Sequence, residues 1–232
     1  MRLLSTLLLA GASLAPLASA HAYVWGVQVN GQDQGRGDAQ PGYIRKVQNN
    51  DPIKDVKSAD MTCNRNRGVN TKTLNAKAGD KITVIWAHNN KGDDIIADSH
   101  KGPVQVYVAP AKSEGKGNVW VKIASEGFEH GVWATDKLRK NGGKHDFTMP
   151  SLAPGEYLIR PEIVALHEGS NVGGAQLYMA CIQFKVTGGS KSLPAGIAIP
   201  GAYSATDPGI KFNVYQKPMP AYKPPGGPVV HI

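Results

Sequence analysis

The sequence predicts an all-β fold, a β-sandwich with long surface loops. Helical periodicity is scarce, and short β-rich runs recur along the chain. Those runs are punctuated by 27 glycines and 16 prolines in 232 residues. Many short strands joined by turns fit two packed sheets.

In chain order, strands are expected at Ala22–Val29, Lys81–His88, Val104–Ala109, Val119–Ala124, His145–Met149, Glu156–Val164 and Gln176–Val186. Each is bounded by Gly, Pro, Asn or Asp, the residues that end strands in turns. Asn30–Gly79 and Gly188–Gly209 are too long for hairpins, so they are expected as surface loops with local structure, where binding usually resides. Pro161 lacks the N–H that a central strand donates, which predicts an edge position or a bulge. From Lys217 onward the chain is rich in proline and glycine, a composition of extended chain that reads as a terminal wrap or a frayed end.

The opening residues combine a lone charge at Arg2, an apolar run too short for a bilayer span, and the small-x-small triplet Ala18-Ser19-Ala20. That is the pattern of a secretory signal peptide at 1–20. Cleavage after Ala20 exposes His21 and leaves 21–232 as one catalytic-sized domain, with no linker, internal repeat, N-x-Ser/Thr sequon or cysteine-rich carbohydrate-binding module. Secretion places the protein outside the cell, where the two cysteines, Cys63 and Cys181, are most simply one disulfide. Formal charge is +8, or +7 without Arg2. The basic residues are scattered, which speaks for solubility and against a nucleic-acid groove. No membrane partner is expected, and the chain is expected to be a monomer.

Seven histidines are available: His21, His88, His100, His130, His145, His167 and His231. His21 stands apart because an N-terminal histidine chelates one metal through its free α-amine and ring Nδ1. A second imidazole then completes a flat three-nitrogen site, and tetragonal nitrogen donors favour copper. His100, in Ser99-His100-Lys101-Gly102-Pro103 just before a strand, is the candidate. Strand parity puts Gln176 and Tyr178 on one face and Cys181 on the other. Read alone, Tyr178 could be a core aromatic and Gln176 a sheet-surface residue.

Taken together, His21 after the cleavage site, Ser99-His100-Lys101-Gly102-Pro103-Val104-Gln105-Val106-Tyr107, Ala165-Leu166-His167-Glu168, and Gly174-Ala175-Gln176-Leu177-Tyr178 with Cys181 resemble the fungal cellulose-active lytic polysaccharide monooxygenases, auxiliary activity family 9. The likeness runs through the domain, including Met61-Thr62-Cys63-Asn64 and Pro200-Gly201-Ala202-Tyr203. It implies a fibronectin- or immunoglobulin-like antiparallel β-sandwich with a flat face around one copper ion. His21 and His100 would be the equatorial histidine brace, Tyr178 the axial group, and His167 and Gln176 the hydrogen-bonding groups beside it. Asn50, His88, Asn89, Glu168 and Tyr203 would contact substrate, with Tyr203 stacking on a sugar. Cys63–Cys181 would be a disulfide near the Tyr178 strand. The segment between His167 and Gln176 lacks the basic residue that some relatives place before Gly-Ala-Gln.

The implied activity is oxidative cleavage of cellulose, cello-oligosaccharides and, as a further candidate, xyloglucan. It proceeds by hydrogen abstraction and hydroxylation mainly at C4, with C1 as the alternative, using an external electron donor and H2O2 or O2. Two rival readings compete with it. A glycoside hydrolase needs two carboxylates facing one bond and leaves His21 without a role, although Asp93, Asp94, Glu162 and Glu168 are available. A non-catalytic copper- or carbohydrate-binding protein on the same scaffold needs no arranged group such as Tyr178, Gln176 and His167.

Overall fold

The structure, a computed structural model, describes residues 21–39, 41–65 and 72–232. The expected signal peptide at 1–20 lies outside them. In chain order the elements are β1 (Tyr23–Val29), β2 (Gln32–Arg36), β3 (Leu74–Lys77), β4 (Lys81–Ala87), β5 (Val104–Pro110), β6 (Asn118–Glu126), β7 (Phe128–Glu129), β8 (Val132–Trp133), helix α1 (Ala134–Lys140), β9 (Lys144–Thr148), β10 (Gly155–Ala165), β11 (Gln176–Met179), β12 (Ile182–Thr187) and β13 (Ile197–Ala198). One sheet has the order β2-β1-β4-β9, the other β13-β6-β5-β10-β12-β3, with β11 also on β10. The sandwich predicted from sequence is therefore what forms.

All seven expected strands are present, and the last is divided into β11 and β12. The division traces to Pro161. Val164 N donates towards β5, to Pro103 O, so Pro161, three residues earlier, turns its nitrogen to the opposite side of β10. There Ile159 pairs with Ile182 and Glu162 with Met179, which leaves Pro161 facing Ala180, where the ladder stops. Pro161 is thus neither on an edge strand nor at a bulge. The missing N–H is absorbed by a gap between two partner strands. The antiparallel expectation also needs one correction, because β12 and β3 pair in parallel. β3 joins the far edge of the second sheet before the chain crosses to β4 in the first, and such a crossover permits parallel pairing.

Between the sheets lies a core of Val24, Val27, Ile82, Val84, Trp86, Val104, Val106, Val108, Ile159, Ile163, Ile182 and Phe184. The second sheet is covered on its other face as well. There Leu158, Val164, Leu177 and Tyr107 pack under Ile53, Met61, Trp133 and Tyr203 from the loops. Burial on both faces explains why β10 reads as a nearly unbroken apolar run. Its two buried charges, Arg160 and Glu162, lie on the loop side and are ion-paired at 2.7 Å. Arg160 also donates to the carbonyls of Met61 and Thr62. The Cys63–Cys181 disulfide, with a sequence separation of 118, ties that loop to the β11–β12 junction.

The Pro/Gly-rich tail is a wrap. Lys122 on β6 donates to Pro225 O and Gly227 O, Val230 N donates to Lys122 O, and Tyr222 packs edge-on against Trp133 and Phe212.

Candidate metal centre

His21, His100 and Tyr178 come together at one end of the sandwich, each for a local reason. His21 lies two residues ahead of Tyr23, the first residue of β1, and Tyr23 pairs with Ala87 at the end of β4. His100 closes the loop before β5. That loop is stitched to β10 where Leu166 N donates to Lys101 O, and to α1 where Gly102 N donates to the Thr135 hydroxyl. Gly102 is required here because a Cβ would lie 1.8 Å from Val164 O. Tyr178 sits on β11 opposite Ile163, 1 % exposed.

The stitching brings His100 onto His167, with ring centroids 3.9 Å apart. The rings of His21 and His100 lie 6.2 and 6.3 Å from that of Tyr178. His21 Nδ1 is 3.1 Å from Asp51. Burial first, then the His167 and His21 rings, push the His100 imidazole down to about 4. Burial also lowers His167. Tyr178 is pushed up by burial, then by the charges of Asp51 and Glu168, so its hydroxyl keeps its proton and donates to Gln176 Oε1 at 2.7 Å.

These groups fit a copper ion. His100 Nε2 is buried with no hydrogen-bond partner, an arrangement that costs free energy unless something accepts its lone pair. Two imidazoles with one phenol are a donor set copper takes readily. Two histidine side chains suffice for such a set, since in a chain beginning at His21 the α-amine would be the third nitrogen. Among the described residues, the one trio of His, Asp, Glu or Cys ligand atoms within 4.8 Å of one another is instead His88, Asp93 and Asp94. Both Asp93 oxygens there accept backbone N–H groups, and His88 Nδ1 lies against Asp94. That trio shapes a loop.

The expected substrate residues divide. Asn50 donates to His88 O, and Asn89, exposed, accepts from Tyr23 through its carbonyl. Both lie on the His21 side. Glu168, exposed, borders the His167 side, where Gly174 lets the turn close because a Cβ would meet Glu168 O at 1.9 Å. His88 and Tyr203 are corrected. His88 is buried, with its Nε2 enclosed, so the open face at that edge belongs to Asn89. Tyr203 is buried too, and its hydroxyl donates to Glu162 and meets Tyr107 OH at 2.6 Å. The buried charge of Glu162 needs donors, and Tyr203 is one of them, so its ring cannot stack on a sugar. Sequence reasoning missed Tyr215, which is 64 % exposed. Its segment is held to the His167 turn by Phe212 N donating to Gly169 O.

A two-sheet sandwich with a nitrogen-rich site at one open end defines a class of β-sandwich metalloprotein. The sequence profile of Auxiliary Activity family 9, formerly GH61, matches residues 21–222, and the chain belongs to that family. It is 56% identical over 222 residues to AA9 family lytic polysaccharide monooxygenase A of Aspergillus flavus, covering 94% of this chain and 60% of that protein. The chain thus spans about three-fifths of the length of such curated relatives. Among solved structures, CvAA9A superposes with a TM-score of 0.86 at 41% identity, covering 90% of this chain and 98% of that one. A cellulose-active polysaccharide monooxygenase from M. thermophila superposes at 0.75 with 28% identity, covering 90% and 99%.

Proposed function

We propose that this chain is an extracellular copper-dependent oxygenase that cleaves cellulose, cello-oligosaccharides and related β-1,4-glucans. It acts as a monomer with an external electron donor and O2 or H2O2, oxidising mainly at C4. The observation that carries the reading is the unpartnered, buried His100 Nε2 facing the site that His21 and Tyr178 share.

His21 and His100 would hold the ion, with the Tyr178 hydroxyl beside it. When bound, copper supplies reductant-driven oxygen activation strong enough to break a sugar C–H bond. The chain's own residues prepare the ground. His100 is unprotonated across the neutral range and needs no proton loss to donate its lone pair. Tyr178 stays a neutral phenol, a weak donor compared with the imidazoles. His167, stacked on His100, with its Nδ1 buried and unpartnered, would take or release a proton there. Gln176 holds the phenol proton away from the site. Such outer groups orient a bound species and control its protonation.

Around the site, Asn50, Asn89 and Glu168 provide polar contacts and Tyr215 an exposed ring. A glucan chain shifted by one sugar edge exchanges which hydrogen faces the site, so these flanking contacts would set C4 against C1. The test is to incubate protein beginning at His21, copper-loaded, with cellulose or cellohexaose and ascorbate, and to identify products by mass spectrometry. C4 gem-diols are expected. Aldonic acids alone would overturn the regiochemistry, and unmodified sugars released without reductant would overturn the oxygenase reading.

A further inference from the structure

Glu168 enters the sequence reading as a sugar contact, but the structure gives its carboxylate partners within the protein. Glu168 Oε2 accepts from Gln176 Nε2 at 3.3 Å and from Lys54 Nζ at 3.2 Å. Gln176 Oε1 in turn accepts from Tyr178 at 2.7 Å. The result is a directed chain: Lys54 to Glu168, Gln176 to Glu168, Tyr178 to Gln176. It joins the loop carrying Lys54, which Ile53 binds to β11 through reciprocal backbone bonds with Leu177, to the turn after His167.

We propose that Glu168, backed by Lys54, is a positioning residue that fixes which end of the Gln176 amide faces Tyr178, and so decides where the Tyr178 hydroxyl proton points. This rests on the metal-site reading above. An amide can sit either way round, and only its partners choose. An ionised carboxylate accepts and cannot donate. Glu168 therefore draws Nε2 towards itself, leaves Oε1 for Tyr178, and obliges the phenol to donate to Gln176. Without the carboxylate the amide can turn over. Nε2 would then face Tyr178, the phenol oxygen would accept, and its proton would swing off Gln176.

Lys54 is the second part of the device. Lys54 and Glu168 are each about half exposed, so the ion pair adds little stability, and its contribution is orientation. It holds one carboxylate oxygen in place and favours the ionised form, on which the polarity depends. Nothing in this chain requires substrate to be present, which separates the role from that of a sugar contact.

The test uses chain beginning at His21, as wild type, Glu168→Ala, Lys54→Met and the double variant. In metal-free, 15N-labelled protein the Gln176 side-chain amide pair should shift or broaden in Glu168→Ala and move less in Lys54→Met. The double variant should match Glu168→Ala, because Lys54 acts through Glu168. Copper-loaded and substrate-free, Glu168→Ala should show an altered Cu(II) EPR spectrum and a kcat lowered about tenfold, the lower end of what outer partners of a metal site contribute. Glu168→Gln, which can still present an acceptor, should restore part of both. Thermal midpoints should stay together, since both residues are exposed. Unchanged Gln176 resonances and an unchanged substrate-free spectrum in Glu168→Ala, with only KM raised, would overturn the proposal in favour of a sugar contact. Failure of the wild type to bind copper would overturn the metal-site reading instead, and the metal-free resonances would still decide this one.

Discussion

His100 and His167 stack ring on ring, with centroids 3.9 Å apart and planes 26° from parallel. Two imidazolium ions at that separation would repel strongly, and His167 is one reason the His100 pKa lies low. The contact keeps the His100 ring uncharged, and the Ser99 hydroxyl, 3.2 Å from Nδ1, helps packing to aim it. A rigid, unprotonated nitrogen is what a metal needs from a preorganised ligand.

His100→Ala should therefore lose high-affinity copper binding, whereas Tyr178→Phe should keep it and change only the spectrum and turnover. An equatorial imidazole holds copper far more firmly than a neutral phenol does. Isothermal calorimetry with Cu(II) on both variants checks this, and equal losses would contradict the assigned roles.

Any residue left before His21 should also abolish tight copper binding, because an amide nitrogen is a poor donor compared with an amine. Protein released at His21 and protein carrying one extra N-terminal alanine can be compared in the same calorimeter. Matching affinities would remove the α-amine from the site.

Tyr215 and Tyr203 should behave oppositely. Tyr215→Ala should leave the melting temperature unchanged and weaken binding to insoluble cellulose by about 1.5 kcal/mol, roughly tenfold, the value of one aromatic ring brought out of water. Tyr203→Phe should leave cellulose binding alone and destabilise by about 1–3 kcal/mol, because the buried Glu162 loses a donor. Pull-down on cellulose and urea unfolding separate the two.

The acid limb of stability should depend on Glu126. His145, by hydrogen bonding, and then Lys137 hold its carboxyl down to about 2, from an ordinary value of 4.5, against the opposing effect of burial. A carboxyl with a lowered folded value adds stability that is complete above about pH 4.5 and fades as pH falls towards 2. The group is more than a third exposed, so solvent screening keeps the effect small. Glu126→Gln should lower the urea midpoint at pH 6 slightly and flatten its fall between about pH 4.5 and 2. A parallel fall in both proteins would show that the pair contributes nothing.

The strands that build the core were legible because their side chains advertise burial. β1, β4, β5 and β10 are runs of Val, Ile, Tyr and Trp between turn residues. β2, Gln-Asp-Gln-Gly-Arg, was not legible, since its residues are exposed or half-exposed and pairing alone holds it. A cue was present in Asn30-Gly31, whose φ values of 49 and 82 are those of a tight hairpin turn. Helix α1 is only seven residues long and leaves little periodicity to detect, although Asp136 near its start and Arg139 and Lys140 at its end suit a helix dipole. The site separates along similar lines. His21, His100, His167, Gln176 and Tyr178 stand in motifs and do converge. Tyr203 misled because a tyrosine in a Pro/Gly-rich loop reads as exposed, and only the structure shows the charge of Glu162 beneath it. Tyr215 carries no local signal that distinguishes it from any other loop aromatic.

The two ends of the domain have unequal freedom. β10 runs from Gly155 to Ala165, about 30 Å at strand rise, and the metal end lies beyond Ala165. Ile232 is anchored at the other pole, where its carbonyl accepts from Ser151 N. A tether, label or solid support attached after residue 232 would leave the His21 end pointing outward, while on the proposed reading the smallest addition ahead of His21 would sit at the metal site. For anyone building fusions, the 232 end would be a handle and the His21 end, on that reading, a ligand.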